Sequence, residues 1–355
     1  MTTIALASGN KTPARNRAVA IWLTIVGTLV FLMSVVGGAT RLTDSGLSIT
    51  EWKPIVGAIP PLNDADWQDA FAKYQQIPEY HRVNKGMSLD AFKSIFWWEW
   101  GHRFLGRFIG LAFALPLGVL WLRGAIRRDL APKLLGVLAL GAIQGGAGWY
   151  MVRSGLVDRI DVSQYRLALH LGIAFAILGS IAWLVLDLVR GTSGETPRAS
   201  VMPTRVAPIL AGAVFLQILL GALVAGLKAG LAYNTWPDMN GALVPPGLAE
   251  LSPWYLNLFE NVTAVQFNHR LMAYIVAALA MWNAWSLAPN PDSAVRSSGL
   301  LLAAAVMAQI GLGIWTLLSA VPLALGLAHQ AGAAIVFLLA ISHWHAVRQG
   351  RRTST

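Results

Sequence analysis

Two five-residue stretches, Glu99-Trp100-Gly101-His102-Arg103 and Gln266-Phe267-Asn268-His269-Arg270, repeat one pattern of histidine followed by arginine. Each is followed downstream by a further histidine near the start of an apolar run, His170 after the first and His329 after the second. A neutral imidazole offers a nitrogen lone pair to iron, so two such pairs suit axial ligation of two haems. The chain has no cysteine, which excludes thiolate ligands, disulfides and Cys-held iron–sulfur clusters. Any metal must therefore use histidine or carboxylate. His81, His343 and His345 lack counterparts in the repeat and read as interfacial side chains.

A flat macrocycle needs space beside its ligand, and the residue four positions on shares the ligand's helix face. Those residues are Gly106, Ala174, Ala273 and Ala333, all small. A single membrane histidine would more simply bond a neighbouring helix or bind zinc, but four at matching places in a repeated frame favour haem. One position breaks the symmetry. Glu99 precedes His102 by three residues where Gln266 precedes His269, and glutamine can neither exchange a proton nor supply negative charge. An acid/base or charge-stabilising role predicts that asymmetry, whereas a salt bridge to Arg103 or a helix-start carboxylate is the plainer alternative. Arg41, Arg103, Arg107, Arg166, Lys228 and Arg270 gather at the same helix ends, where they could clamp acidic haem propionates or reach toward lipid headgroups. Gln144, Gln217 and Gln309, each near glycines, read as residues that hold helices together.

These residues need elements to position them. With 55% hydrophobic and only 12% charged residues, the chain reads as a membrane protein. Apolar windows long enough to cross a bilayer are expected at 18–40, 102–122, 133–152, 166–189, 205–228, 266–288, 297–319 and 325–346. The expected fold is therefore all-α, with eight transmembrane helices in two pseudo-symmetric four-helix bundles, residues 1–195 and 196–355. Four helices separate the halves, so the repeat is parallel. With both termini cytoplasmic, the inner segments hold fourteen basic and four acidic residues while the outer ones balance, so the whole net charge of +10 lies inside. Nucleic-acid binding is then an unnecessary reading of that charge. A bacterial inner membrane is the expected location. The connection after the first span contains Pro60, Pro61, Trp67, Phe71, Tyr74 and Phe92, which predicts short amphipathic helices on the outer surface, and Trp97, Trp98 and Trp100 mark an aqueous boundary.

The sequence resembles haem A synthase in its cysteine-free form. The resemblance rests on GGATRLTDSGLSITEW at 37–52, FWWEWGHRFLGR at 96–107, QGGAGWYMVRSGL at 144–156, YNTWPDMNG at 233–241, ENVTAVQFNHRLMAY at 260–274 and VPLALGLAHQAGA at 321–333. Other members carry a cysteine pair in outer loops that this chain lacks. The resemblance implies oxidation of a ring methyl of haem O, through an alcohol, to the formyl group of haem A. It also implies that His102 and His170 hold substrate, His269 and His329 hold a haem b cofactor, and Glu99 is the catalytic acid. An enzyme supplying haem O, an electron donor and terminal-oxidase assembly downstream are the implied partners. Small-residue helix faces would permit a homo-oligomer but also serve internal packing. The main competing reading is a dihaem cytochrome b that passes electrons without modifying haem. A haem exporter or chaperone would explain binding but not Glu99.

Overall fold

The computed structural model describes residues 11–53, 55–157, 159–190 and 205–352. Its helices are α1 (Lys11–Leu42), α2 (Asp64–Tyr74), α3 (Pro78–Arg82), α4 (Leu89–Leu122), α5 (Ala131–Arg153), α6 (Gln164–Arg190), α7 (Val206–Gly226), α8 (Val262–Ser286), α9 (Ser293–Leu318) and α10 (Leu323–Arg352). Long apolar runs make the eight longer ones, and polar caps set several starts. Ser88, Asn261 and Asp292 each accept hydrogen bonds from backbone N–H groups of the following turn, which would otherwise be unpaired. The expected junction of the halves at 195/196 lies outside the described residues.

Seven helices among the described residues are long and apolar enough to cross a membrane: all the long ones except α8. That differs from the eight expected. The shortfall of α8 has a local cause, because Gln266, Asn268, His269 and Arg270 crowd its first third and Asn283 sits near its end. It is nonetheless a 25-residue helix packed between α7 and α9.

Four helices, α1, α6, α7 and α10, pack together at the centre, with α4 and α5 flanking α1 and α6 while α8 and α9 flank α7 and α10. The shared core runs through Leu23, Val26, Phe175, Ile181, Leu210 and Ala340. Phe337 meets Phe175 edge-on at 5.5 Å and Phe215 at 5.9 Å, joining α10 to α6 and α7. The flanking α4 and α5 leave most of their apolar side chains exposed, which is the face lipid covers in a membrane helix.

The largest departure from expectation is α4, which begins at Leu89 rather than near 102. Its first turns project past the apolar window because Phe92 and Phe96 bury against Trp67, Phe71 and Tyr74 of α2. Tilted and edge-on rings make that cap, with Phe71 and Phe92 centroids 5.1 Å apart and Trp67 and Phe96 5.0 Å apart. The expected short helices are present as α2 and α3. Their aromatic faces turn into this second core.

Helix packing at the centre depends on close backbone approach. A Cβ on Gly226 would lie 2.6 Å from the Gln164 Cβ and 2.7 Å from its Cα, so α7 meets α6 with no room for a side chain. Gly226→Leu is therefore expected to force the two helices apart at a cost of about 1–3 kcal/mol. The check is the apparent thermal midpoint of the purified protein; an unchanged midpoint would show that this crossing adjusts freely.

Candidate functional site

His102, His170, His269 and His329 lie on α4, α6, α8 and α10, and each ring faces a glycine of a neighbouring helix. A Cβ on Gly37 of α1 would come within 3.2 Å of the His102 ring, and one on Gly148 of α5 within 2.9 Å of His170. In the second half, Gly221 of α7 stands in the same relation to His269 at 3.1 Å, and Gly313 of α9 to His329 at 2.7 Å. A Cβ at Gly148 or Gly313 would force the ring to shift, and one at Gly37 or Gly221 would press it tightly enough that the ring must give by a few tenths of an ångström, so glycine is the residue that fits at all four. Within each half the two imidazoles are near enough to interact electrostatically, His102 with His170 and His269 with His329.

Three of the four rings also meet a glutamine. Gln217 Nε2 lies 3.2 Å from His269 Nδ1 and donates to the His269 carbonyl at 3.1 Å. Gln309 Nε2 repeats this at His329, 3.1 Å from Nδ1 and 2.7 Å from the carbonyl. Gln144 reaches only the His170 ring, at 3.3 Å from Nε2. These glutamines were expected to serve helix packing. Their signal in the sequence is the spacing Gln-x-x-x-Gly, at 144–148, 217–221 and 309–313, which sets both residues on one helix face.

Glu99 is 2% exposed, and both carboxylate oxygens are engaged. Ser48 Oγ and the Ile49 backbone N–H donate to Oε2 at 2.8 and 2.7 Å, while Arg103 donates to Oε1 at 2.6 Å. Arg103 also donates to the carbonyls of Ile49 and Glu51 at 2.7 and 3.0 Å, so glutamate and arginine together tie α4 to the chain leaving α1. The salt bridge contemplated from sequence is thus present. The second half has the same tie with a neutral partner: Gln266 donates to the Ala229 carbonyl at 2.9 Å, and Arg270 to the carbonyls of Tyr233, Thr235 and Asp238 at 2.9, 2.9 and 3.0 Å.

The six basic residues proposed for propionates do not form one set. Arg103 and Arg270 hold backbone carbonyls as above. Arg107 donates to the Lys53 carbonyl at 3.0 Å, and Arg166 donates to the Tyr150 carbonyl at 2.7 Å while lying 3.7 Å over the Tyr150 ring. Arg41 and Lys228 come together from the two halves around shared acids. Arg41 pairs with Asp44 at 2.9 Å and Asp161 at 3.3 Å, and Lys228 with the same two at 3.0 and 3.4 Å. Glu79 of α3 lines the same cleft. Of the three other histidines, His343 and His345 are fully buried near the end of α10 rather than interfacial: Asn283 and Ser298 meet the two ring nitrogens of His343, whereas Asp187 meets His345 Nε2 and its Nδ1 has no hydrogen-bond partner among the described residues.

Two histidine pairs, each ring half-buried against a glycine of a neighbouring helix, sit within a bundle of long apolar helices, and this defines the class as a helical membrane protein. Comparison with known proteins then places the chain within that class. The profile of the family described as "Cytochrome oxidase assembly protein" matches residues 20–341, and the chain belongs to that family. It is 55% identical over 337 residues to a protein of Chelativorans sp. named "Heme A synthase", covering 94% of this chain and 92% of that one. A protein of the same name from Parvibaculum lavamentivorans is 52% identical over 335 residues, covering 94% and 96%, and one from Agrobacterium fabrum is 52% identical over 334, covering 93% and 90%. The chain is a multi-pass integral membrane protein.

Glu79 was not singled out in the sequence, since nothing local marks it. It is 4% exposed with Oε2 unpartnered, and its pKa is pushed up to about 8, first by burial and then by Asp44, Glu99 and Asp161, against the pull of Lys228. The folded chain therefore keeps a proton there that the unfolded chain releases from about 4.5 upward. Because the native state binds more protons in that window, stability falls as pH rises from about 4.5 to about 8. Glu79→Gln mimics the protonated form and is expected to flatten the decline. Apparent thermal midpoints at about pH 5 and about pH 8 check this. Equal slopes in the two proteins would show that Glu79 is not the group responsible.

Proposed function

We propose that this chain acts as a haem A synthase, an oxidoreductase that converts a ring methyl of haem O through an alcohol to the formyl group of haem A. Relatives bearing that name match it over at least 93% of its length. One observation carries the division of labour: in two related frames, the buried Glu99 of one half is replaced by Gln266 in the other. His102 and His170 hold the substrate haem on the side with the carboxylate. His269 and His329 hold haem b on the side without it.

The residues present fit such a group. Each ligand candidate offers an imidazole nitrogen, and glycine leaves each ring unobstructed. Among the described residues, His170 Nδ1 and the side-chain oxygens of Gln144 and Gln217 are buried without hydrogen-bond partners, as polar atoms awaiting a ligand-bound arrangement would be. Haem b, when bound, supplies electron transfer. The protein's own contribution is to orient the two imidazoles of each pair and to place an acid/base group on one side. Glu99 can accept a proton, or stabilise positive charge developing at the methyl carbon, on leaving one of its present donors. Gln266 can do neither.

In the membrane, α8 forms the eighth span: its 25 residues reach about 37 Å at 1.5 Å per residue. The charge distribution supports cytoplasmic termini, and the repeated histidine motifs support reading residues 1–195 and 196–355 as parallel related halves. A bacterial inner membrane is the setting. The reaction calls for an enzyme supplying haem O, an electron donor and an oxidase assembly that takes haem A.

Two outcomes are expected. His269→Ala or His329→Ala should remove the absorption of a low-spin haem b and leave haem O binding at the other pair; loss of both haems in a folded single variant would mean one shared site. Glu99→Gln should preserve haem binding and slow haem O conversion by roughly 100-fold or more, while Gln266→Glu creates no new activity. Both are followed as haem O consumed and alcohol and haem A formed per folded protein. Near-native turnover in Glu99→Gln would reduce Glu99 to the structural tie it makes with Arg103.

A further inference from the structure

The glutamine contacts are unequal between the two histidine pairs, and the inequality follows the proposed roles. Gln217 and Gln309 each engage both the ring and the carbonyl of their histidine. Gln144 engages a ring nitrogen only, at the long edge of hydrogen-bond distance. For His102 the matching position, four residues before the glycine that faces its ring, is Met33. A thioether is at best a weak acceptor and cannot donate, and a Cβ on Gly106 would lie 3.3 Å from the Met33 Cε, so this methionine fills space beside the helix that carries His102.

We propose that Gln217 and Gln309 are positioning residues that retain the haem between His269 and His329, and that Met33, with the weaker contact of Gln144, leaves the His102–His170 site free to exchange haem. This rests on the assignment of resident and substrate haems made above. An iron-bound imidazole uses one nitrogen for the metal and keeps a proton on the other, and a partner for that second nitrogen fixes the ring and makes the ligand more basic. A half-turn of a side-chain amide exchanges its oxygen and nitrogen, so the same glutamine that donates to a bare Nδ1 can accept from a protonated one, giving up its present donation to the carbonyl for a bond to the ring. Gln309 has little freedom to move elsewhere, because its side-chain oxygen packs against Gly332, where even a Cβ would collide with it. A retained cofactor gains from two ligands held this way. A substrate site must admit haem O and release haem A at every turnover, and rings held as firmly would slow release.

The test uses the full-length protein with haem bound. Gln217→Met and Gln309→Met, which place in the second half the residue the first half has at 33, are compared with Met33→Gln. Release of haem to an excess of a haem-free globin is timed, the low-spin spectrum is recorded, and the released haem is identified by mass. Each glutamine variant should release haem from the His269–His329 site about tenfold faster, and Met33→Gln should release it from the His102–His170 site about tenfold more slowly, the factor expected for one hydrogen bond. Unchanged release rates and spectra in both glutamine variants would overturn the proposal. Should a glutamine variant lose both haems together, Met33→Gln decides, since it deletes no hydrogen bond: slower release supports the proposal and unchanged release overturns it. If the glutamine variants do speed release but the haem they lose is haem O or haem A, the retaining contacts stand and the assignment of halves made above fails instead.

Discussion

Four glycine backbones pressed against four imidazole rings are the constraint on which the rest of this structure depends. An imidazole between membrane helices needs both room and fixed direction, and the packed interior offers room only where a side chain is missing. Gly37, Gly148, Gly221 and Gly313 supply that gap on α1, α5, α7 and α9. Once the gaps are fixed, helix order follows: each histidine-bearing helix must lie beside a glycine-bearing one, and α1–α4, α5–α6, α7–α8 and α9–α10 are indeed neighbours.

The polar ties above the rings solve a second problem. Each histidine of the repeated motif is followed at once by an arginine whose guanidinium gathers backbone carbonyls from a connection that is not regular secondary structure. Guanidinium suits that task because its donors form a planar fork that can satisfy several acceptors at once. In the first half the fork also meets a buried carboxylate, in the second a neutral amide. The same scaffold thus carries two electrostatic settings. The proposed division between a substrate site and a cofactor site rests on that difference.

The cap of α2, α3 and the start of α4 gives the first half a feature with no equivalent among the described residues of the second. Its aromatic core holds the α1–α4 connection over Glu99, and Glu79 brings a further buried carboxyl to the cleft where Arg41 and Lys228 join the halves through Asp44 and Asp161. Opposite signs alternate around this cleft, whose Asp44 and Lys228 stay largely exposed while Arg41 and Asp161 are more enclosed. The exception is Glu79, which keeps its proton first because it is buried and then because Asp44, Glu99 and Asp161 lie around it.

The membrane class, the apolar spans and the four histidines were legible in the sequence because hydropathy and repetition are properties of the chain itself. So was the exchange of Glu99 for Gln266, which needs only two stretches laid side by side. The start of α4 at Leu89 was not, since its first turns are held by rings from α2 that lie far along the chain. Nor could the sequence distinguish α8 from its neighbours except as a weaker apolar run; it took packing against α7 and α9 to show a complete helix. Arg41 and Lys228 looked like anion clamps because a basic residue carries no mark of its partner, and only the fold brought Asp44 and Asp161 between them. The glutamines illustrate the division most plainly. Their spacing to glycine was written in the chain, but whether an amide touches a ring, a carbonyl or neither depends on the approach of a second helix, and that distance exists only in the tertiary structure.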